Sequence, residues 1–314
     1  MVYHVLCKFE KEGGYMAISF YKIKKWYKML VGKSIYHVEQ GIGKRYSIDK
    51  VEGYYNDLTQ KVLLRNEDEL VPLSYVDTGE AIFFSIGIFQ FGLGAYDLYL
   101  INKNDAYRKK VLACADWAVN NQEVNGGWET FSYENSEHPY SSMAQGEGIS
   151  LLVRAYGLTN EEKYKNAADK AKDFMLRPVE KGGTTVYKSG NIYFYECTYD
   201  PLILNGWIFS LWGVFDYMKA FPDDSIKEIY DKSVQTIARM LPKFDIGYWS
   251  KYELGKRISS PFYHKLHISQ LQVMYKLTGE KNFIEYANKF SSYYKNWFYR
   301  KIAFVIKARQ KIFE

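Results

Sequence analysis

A fourfold repeat of helical units is the feature that most constrains how this sequence can fold. Each unit begins with a helix start signal and an apolar helix, which an amphipathic helix follows. The start signals are spaced at intervals of 62, 62 and 60 residues, at Asp77-Thr78-Gly79-Glu80, Pro139, Pro201 and Pro261. Asp77 and Glu80 have capping-box spacing, and proline is favoured at the first position of a helix. Regular spacing of this length indicates a repeated helical hairpin.

The two helices of each unit differ in how their apolar residues are distributed. The first is apolar on nearly all sides, and we predict these helices over Ala81 to Leu100, Tyr140 to Tyr156, Leu202 to Tyr217 and Phe262 to Leu277. The second is amphipathic, predicted over Asp105 to Asn120, Glu161 to Met175, Ser225 to Leu241 and Lys281 to Trp297. An inner ring of apolar helices covered by an outer ring satisfies both patterns. The predicted fold is mainly α, an (α/α) toroid of about four helical hairpins.

Glycine-rich turns follow the first three amphipathic helices, and the two ends of the chain have other patterns. The turns are predicted at Asn125-Gly126-Gly127-Trp128, Lys181-Gly182-Gly183-Thr184 and Asp245-Ile246-Gly247-Tyr248-Trp249. We divide the chain into an extended or β region over 1–76 at the mouth of the ring, a barrel over 77–300 and a basic helix over 301–314. The basic helix suits a solvated surface, a peripheral membrane contact or an anionic polymer.

Consecutive inner helices of such a toroid run parallel, so their N-termini open at one end, the mouth. Positive helix ends and free N–H groups gathered there favour an anionic ligand. The alternative is a purely structural helical repeat.

Composition narrows the class of partner. Thirty Tyr, 19 Phe and 7 Trp make 18% of the residues, and aromatic faces suit sugar rings as well as packing. The net charge of +6 mildly favours an acidic partner, and we expect no nucleic-acid partner. Cys7, Cys114 and Cys197 have no pairing or metal spacing, and no signal-peptide pattern is found, so we expect a cytoplasmic protein.

Directly after Pro261, a phenol and two imidazoles occupy the first turns of an apolar helix. Tyr263, His264 and His267 would be costly in a core unless they are satisfied or used. We therefore place a candidate active site there. The two histidines lack further ligands at helical spacing, so we predict no metal site.

Four segments in order resemble the D-glucuronyl C5-epimerase family. They are Ser142-Met143-Ala144-Gln145-Gly146-Glu147-Gly148 with its continuation to Tyr156, Leu204-Asn205-Gly206-Trp207-Ile208-Phe209-Ser210-Leu211, Asp245 to Leu254, and Tyr263 to Gln272. Together they span roughly 125 to 280, whereas the family's larger N-terminal β region has only a weak counterpart here.

The resemblance implies an α/α barrel that epimerises D-glucuronate to L-iduronate in heparosan-like or heparan-like chains, as a homodimer and without a cofactor. It implies Glu196 as the acidic catalytic residue and Tyr252 and Tyr263 as the two catalytic tyrosines. An arginine that closely follows the first tyrosine in the family is absent here, and Lys256 or Arg257 stands nearby instead.

The chemistry of C5 explains why these groups suit the reaction. Removing the C5 proton beside a carboxylate builds a doubly negative enediolate, which requires a base on one ring face and an acid on the other. Glu196 precedes Pro201 and Tyr263 follows Pro261, so both are predicted at the mouth. The alternatives are that Glu196 caps a helix or pairs with a lysine, and that Tyr263 is a packing residue.

Other side chains are candidates for substrate binding. His264 and His267 would bind a carboxylate, position other side chains, or bond to a backbone carbonyl. Trp128 and Tyr140 would stack on a sugar or belong to the core. The remaining candidates are Tyr195, Asn205, Gln145 and Arg257.

Two other functions remain open. A polysaccharide lyase would abstract the same proton and then expel the 4-linked sugar. A carbohydrate-binding protein would hold the polymer without chemistry.

Overall fold

The computed structural model describes residues 8–11, 14–17, 24, 27–29, 34, 37–76 and 79–313. Asp77, Thr78 and Cys7 lie outside the described residues. Before the barrel come an antiparallel hairpin of β1 (Lys8–Lys11) and β2 (Gly14–Ala17), a short helix α1 (Thr59–Leu63), and a second hairpin of β3 (Ser74–Tyr75) and β4 (Ala81–Ile82).

Four helical hairpins then form an (α/α) toroid, as the repeat predicts. In chain order they are α2 (Ser85–Asn102) with α3 (Asp105–Asn120), α4 (Ser142–Thr159) with α5 (Glu162–Leu176), α6 (Leu204–Ala220) with α7 (Asp224–Met240), and α8 (Pro261–Thr278) with α9 (Lys281–Lys295). The inner helices α2, α4, α6 and α8 contact one another in sequence order, and each packs on its outer partner. A hairpin of β5 (Thr185–Lys188) and β6 (Asn191–Phe194) lies between the second and third pairs.

Burial agrees with the predicted division into inner and outer helices. Every residue of α4 from Ser142 to Ala155 is buried, whereas α5 alternates buried apolar positions with exposed polar ones. Glycines let α4 and α6 approach closely: a Cβ built on Gly213 would lie 2.4 Å from Cα of Gly146. The two inner helices that flank the site are therefore held in a fixed register.

Three of the predicted helix starts are wrong. The first inner helix begins at Ser85, because Ala81 and Ile82 pair with Tyr75 and Ser74 as strands. Pro139 and Pro201 precede their helices instead of opening them: the Pro139 carbonyl accepts hydrogen bonds from Thr130 and Phe131, and Ile203 forms a β-bridge with Glu253. Of the three prolines that were predicted to open an inner helix, only Pro261 occupies the first helical position.

The segment around Tyr54 closes the end of the ring where the inner helices terminate. The Tyr54 amide donates to Asp97 of α2 at 2.8 Å, and Arg154 of α4 donates to the Glu52 carbonyl at 2.9 Å. Arg154 also forms a fully buried ion pair with Asp216 of α6 at 2.6 Å. Among the described residues, these contacts fasten the segment around Tyr54 across this end of the ring.

The last described element is α10 (Trp297–Phe313), which packs on α8 and α9. It begins at Trp297, ahead of the basic helix predicted over 301–314. The solvated surface that its lysines suggested does not include Lys307, which is only 4% exposed. The apolar side chains of Trp297 and Val305 are exposed on the same helix. Across the described part of the chain, no helix combines the length and hydropathy that a membrane span requires.

Candidate active site

A cavity of about 370 Å³ opens at the end of the ring where the inner helices begin. The first turns of all four inner helices line it, through Ile86, Gly87 and Gln90 of α2, Met143 of α4, Asn205 and Phe209 of α6, and Tyr263 and Leu266 of α8. The inner helices are therefore parallel, as predicted, and their N-termini converge on one space. Residues outside the barrel complete the wall, among them Gln40, Lys61, Ser74 and Lys307.

The N-termini of the inner helices differ in how they are capped. Ser141 caps α4 and Ser260 caps α8 through side-chain oxygens, whereas Phe84 and Ile203 precede α2 and α6 without a side-chain cap. Because the first N–H groups of a helix have no partner within the helix, this end of the ring is electrostatically positive. The cavity therefore suits an anion.

Glu196 is held between the starts of α4 and α6. It follows β6, and the neighbouring Tyr195 carbonyl accepts a hydrogen bond from the Ser142 amide at 3.0 Å. On the other side it lies against Gly206, where a Cβ would come within 2.1 Å of Glu196 Oε2. Only glycine leaves room for this carboxyl group at the first turn of α6, so the backbone around it fixes its position.

The Glu196 carboxyl group is in an environment that opposes its charge. The side chain lines the cavity, is 8% exposed, and its Oε2 has no hydrogen-bond partner among the described residues. Burial raises its pKa from 4.5 to about 8, the nearby Asp200 adds to the rise, and Arg257 partly offsets it. A carboxyl group with a pKa near neutrality can exchange a proton with a substrate in either direction.

Tyr252 and Tyr263 form a pair of phenols beside Glu196. Their ring centroids are 4.8 Å apart, and both side chains line the cavity. Burial and the charge of Glu196 raise the pKa of each well above its ordinary value, while a side-chain hydrogen bond from Tyr252 lowers that of Tyr263. Both phenols are therefore neutral proton donors at physiological pH.

Tyr252 is positioned by strand-like pairing with the start of α6. Its carbonyl accepts from the Leu204 amide at 3.2 Å, and its amide donates to the Arg257 carbonyl at 3.0 Å. The loop that carries Tyr252 and Arg257 is thus attached to the same helix start that packs against Glu196.

Two further predicted residues line the cavity. Asn205 is 2% exposed, and its Oδ1 has no partner among the described residues. Arg257 forms ion pairs with Asp200, at 2.6 Å, and with Glu253. The structure thus gathers five of the predicted residues around one space: Glu196, Asn205, Tyr252, Arg257 and Tyr263.

The two predicted histidines do not line the cavity. His264 is stacked on Trp249 at 3.7 Å, contacts the Ser250 hydroxyl through Nδ1 at 2.7 Å, and contacts the Phe290 carbonyl through Nε2 at 2.9 Å. Nδ1 of His267 lies 3.1 Å from the same Ser250 hydroxyl. Burial lowers the pKa of His264 to about 4 and that of His267 to about 3. Both are neutral side chains that join α8 to the preceding loop.

The other four predicted residues do not line the cavity. Trp128 is 1% exposed and donates to the Ala118 carbonyl at 2.8 Å, and the Tyr140 ring packs on Phe174 at 4.6 Å. Gln145 is fully buried, and Tyr195 is partly buried against the core. Among the cavity residues that the structure describes, none of these four is found.

Three polar groups at or beside the cavity were missed by sequence reasoning. Gln90 of α2 lines the cavity and donates to the fully buried Glu147 at 2.8 Å, and burial raises the pKa of Glu147 well above its ordinary value. Lys61 of α1 lines the cavity, and burial lowers its pKa to about 8 despite the opposing charge of Glu147. The sequence did hold a signal for Gln90 and Glu147, since each is a polar residue inside an apolar helix. No local pattern marked Lys61.

The described stretches of chain hold no group of three or more His, Cys, Asp or Glu side chains arranged to bind a metal ion.

The fold and the cavity define an (α/α) toroid whose mouth holds acid–base groups beside converging helix N-termini. Residues 122–292 match the family described as the D-glucuronyl C5-epimerase C-terminus, and the chain belongs to this family. The match includes Glu196, Tyr252 and Tyr263 and excludes Lys61 and α10.

Two relatives and one solved structure show how far the similarity extends. The chain is 28% identical over 202 residues to a D-glucuronyl C5-epimerase of Caenorhabditis elegans, covering 55% of this chain and 33% of that protein. It is 30% identical over 172 residues to an uncharacterized protein of Methanocaldococcus jannaschii, covering 52% of this chain and 53% of that one. An unsaturated glucuronyl hydrolase from Bacillus sp. GL1 superposes with a TM-score of 0.47 at 13% identity, over 66% of this chain and 61% of that one. The chain thus matches a third to a half of the length of these two relatives.

Proposed function

We propose that this protein epimerises D-glucuronate to L-iduronate units in a heparosan-like or heparan-like polysaccharide, by removing and returning the proton at C5. The observation that carries the proposal is the shared cavity of Glu196 and Tyr263, one a carboxyl group with a pKa of about 8 and the other a neutral phenol. Membership of the family and the positive helix ends support an acidic sugar as the substrate.

Glu196 is the better base of the two groups. Its pKa of about 8 leaves a fraction ionised at neutral pH, whereas the pKa of Tyr263 is raised above that of an ordinary phenol. The Glu196 carboxylate removes the C5 proton, and the electron pair of the C–H bond moves into the sugar carboxylate to form an enediolate. The Tyr263 hydroxyl then donates a proton to the opposite face of C5, which inverts the centre.

One turnover leaves Glu196 protonated and Tyr263 deprotonated. Return to the starting state requires a net proton transfer from the Glu196 carboxyl group to the Tyr263 phenolate. Tyr252 is hydrogen-bonded to Tyr263 and so lies beside the group that must regain the proton. Because both groups exchange protons with solvent between turnovers, the product should carry a solvent hydrogen at C5. In the reverse direction the Tyr263 phenolate is the base and protonated Glu196 is the acid.

The test is incubation of a heparosan-like chain with the enzyme in heavy water, with Glu196→Gln and Tyr263→Phe as test variants. Tyr275→Phe, on the same helix but outside the cavity, is the control. We expect deuterium at C5 with unchanged chain length, strong loss of exchange in both test variants and normal exchange in the control.

Two results would replace the proposal. Unsaturated chain ends that absorb in the ultraviolet would identify a lyase. Polymer binding without any exchange, unaffected by either test variant, would identify a binding protein.

A further inference from the structure

The helix α10 exposes several large apolar side chains to solvent. Four of them stand within nine residues and are between 39% and 67% exposed: Trp297, Phe298, Phe304 and Val305. No other helix that the structure describes exposes more than one large apolar side chain. A single exposed apolar residue is ordinary, whereas a group of them marks an interaction surface.

These side chains share one face of the helix. Phe304 and Val305 follow Trp297 by seven and eight residues, a spacing that places all three on the same side of an α-helix. Ala303 and Lys307 lie on the opposite side and are buried. The outer face of α10 is therefore apolar along its length, and the inner face packs on the barrel.

Exposed cations accompany this apolar face. By helical spacing, Lys301 lies within the face, and Arg300 and Arg309 lie at its two edges. Arg300 is 5.6 Å from the centroid of the Tyr294 ring, and none of the three cations forms an ion pair with another described residue. The segment Trp297–Phe313 contains no acidic residue. The outer face thus carries positive charge that the helix itself does not neutralise.

The inner face fixes α10 to the barrel beside the cavity. Gln310 accepts a hydrogen bond from the Ile258 amide at 3.1 Å and donates one to the Lys256 carbonyl at 2.7 Å. Lys307, also on the inner face, lines the cavity. A partner that covers the outer face of α10 would therefore lie close to the cavity.

The chemistry of the outer face favours a lipid surface over two other partners. Contact with a second copy about a two-fold axis would bring Lys301 and its equivalent together, and like charges repel. An acidic polysaccharide suits cations and aromatic rings, but it offers no apolar environment for the aliphatic side chain of Val305. The boundary between the headgroups and acyl chains of an anionic membrane accommodates both the cations and the apolar side chains.

We propose that α10 docks the protein on an anionic membrane surface. The apolar side chains enter the interface, and Arg300, Lys301 and Arg309 contact the anionic headgroups. The proposal is independent of the C5 chemistry, and it assigns a role to a helix beyond residues 122–292, the part of the chain that matches the family.

The experiment measures co-sedimentation of the protein with lipid vesicles. One set of vesicles is phosphatidylcholine alone and the other contains about 30% phosphatidylserine, each at low and high salt. One double variant, Lys301→Gln with Arg309→Gln, removes charge from the outer face. A second, Trp297→Ser with Val305→Ser, removes apolar surface.

Matched controls and two parallel measurements accompany the vesicle assay. The controls are Lys243→Gln and Val124→Ser, which change exposed residues outside both α10 and the cavity. Thermal unfolding of each variant checks the fold, which substitutions at exposed positions should leave intact. Binding to a soluble heparosan-like polymer and the oligomeric state are measured without vesicles.

We expect wild type to bind the anionic vesicles far more tightly than the neutral ones, and high salt to weaken this binding. Each cation near an anionic surface strengthens binding about fivefold, so the charge variant should bind about 25-fold more weakly. The apolar variant should bind at least about tenfold more weakly, because it loses the side chains that enter the interface. Both controls should bind as wild type does.

Several results would overturn the proposal. Wild type that does not bind anionic vesicles, or vesicle binding that neither double variant weakens, would show that α10 is not a membrane-docking surface. A loss in the charge variant alone would show adsorption by charge without entry of the apolar face. Vesicle binding that is absent, together with weaker polymer binding or a lower oligomeric state in the variants, would assign the face to the polysaccharide or to a second copy. Exchange at C5 is measured without vesicles, so each of these results leaves the epimerase proposal standing.

Discussion

Replacing Glu196 with glutamine should change how the stability of the protein depends on pH. The folded protein holds this carboxyl group at a pKa of about 8, against an ordinary value of 4.5. Below pH 4.5 the group is protonated in both the folded and the unfolded states and has no effect on stability. Between these two values the unfolded chain releases the proton while the folded protein retains it, so the folded state loses stability as pH rises.

The difference between the two pKa values sets the size of the effect. One pKa unit corresponds to about 1.4 kcal/mol. The full difference between the folded and unfolded pKa values therefore lowers the free energy of unfolding by about 5 kcal/mol, a loss that is complete above about pH 8. Water entering the cavity would reduce this cost, and we expect at least about 2 kcal/mol to be observed. Glutamine has nearly the same shape and no charge, so its own cost is independent of pH.

The assay is chemical denaturation of wild type and Glu196→Gln at several pH values between 4 and 9. The free energy of unfolding of the variant, minus that of wild type, should rise steadily from pH 4.5 to about 8 and then level off. Groups common to both proteins cancel in this difference. Glu285→Gln, exposed on α9, provides the matched control. Parallel curves for wild type and Glu196→Gln would refute the argument that burial opposes the charge of Glu196.

Three other substitutions test separate parts of the account. Gly206→Ala should displace Glu196 and lower C5 exchange about a hundredfold, because the added Cβ would lie 2.1 Å from Oε2 of Glu196. Near-normal exchange in this variant would contradict the fixed placement of Glu196. Arg154→Met should lower the free energy of unfolding by about 3–5 kcal/mol, since it leaves Asp216 buried without its ion pair; a change below about 1 kcal/mol would contradict this. Tyr263→Phe should lower exchange about a thousandfold with little change in polymer binding, and parallel losses of binding and exchange would argue for a binding role instead.

The helical repeat could be predicted because its signals are local. An all-apolar helix and an amphipathic helix each have a recognisable spacing, and Asp105–Asn120 was predicted to the residue. The starts near Pro139 and Pro201 could not be predicted in the same way. There the backbone groups bond to Thr130 and to the loop around Glu253, partners that local patterns do not reveal.

The residues of the site likewise divide into those that the sequence indicated and those that only the structure reveals. Glu196, Tyr252 and Tyr263 follow from a resemblance to a known family, and the cavity gathers them at the start of the inner helices. Lys61 and Lys307 reach the same cavity from α1 and α10, on either side of the matched segment. A lysine in a basic stretch usually lies on a solvated surface, so only the packing of α10 reveals that Lys307 faces inward.

A structure of the Glu196→Gln variant bound to a glucuronate-containing oligosaccharide would show directly whether the two acid–base groups lie on opposite faces of one sugar. We expect C5 of one glucuronate to lie within about 4 Å of the substituted side chain at position 196 on one ring face and of the Tyr263 hydroxyl on the other. An oligosaccharide seated in the cavity with both groups on the same face of the sugar, or with C5 remote from either, would contradict it.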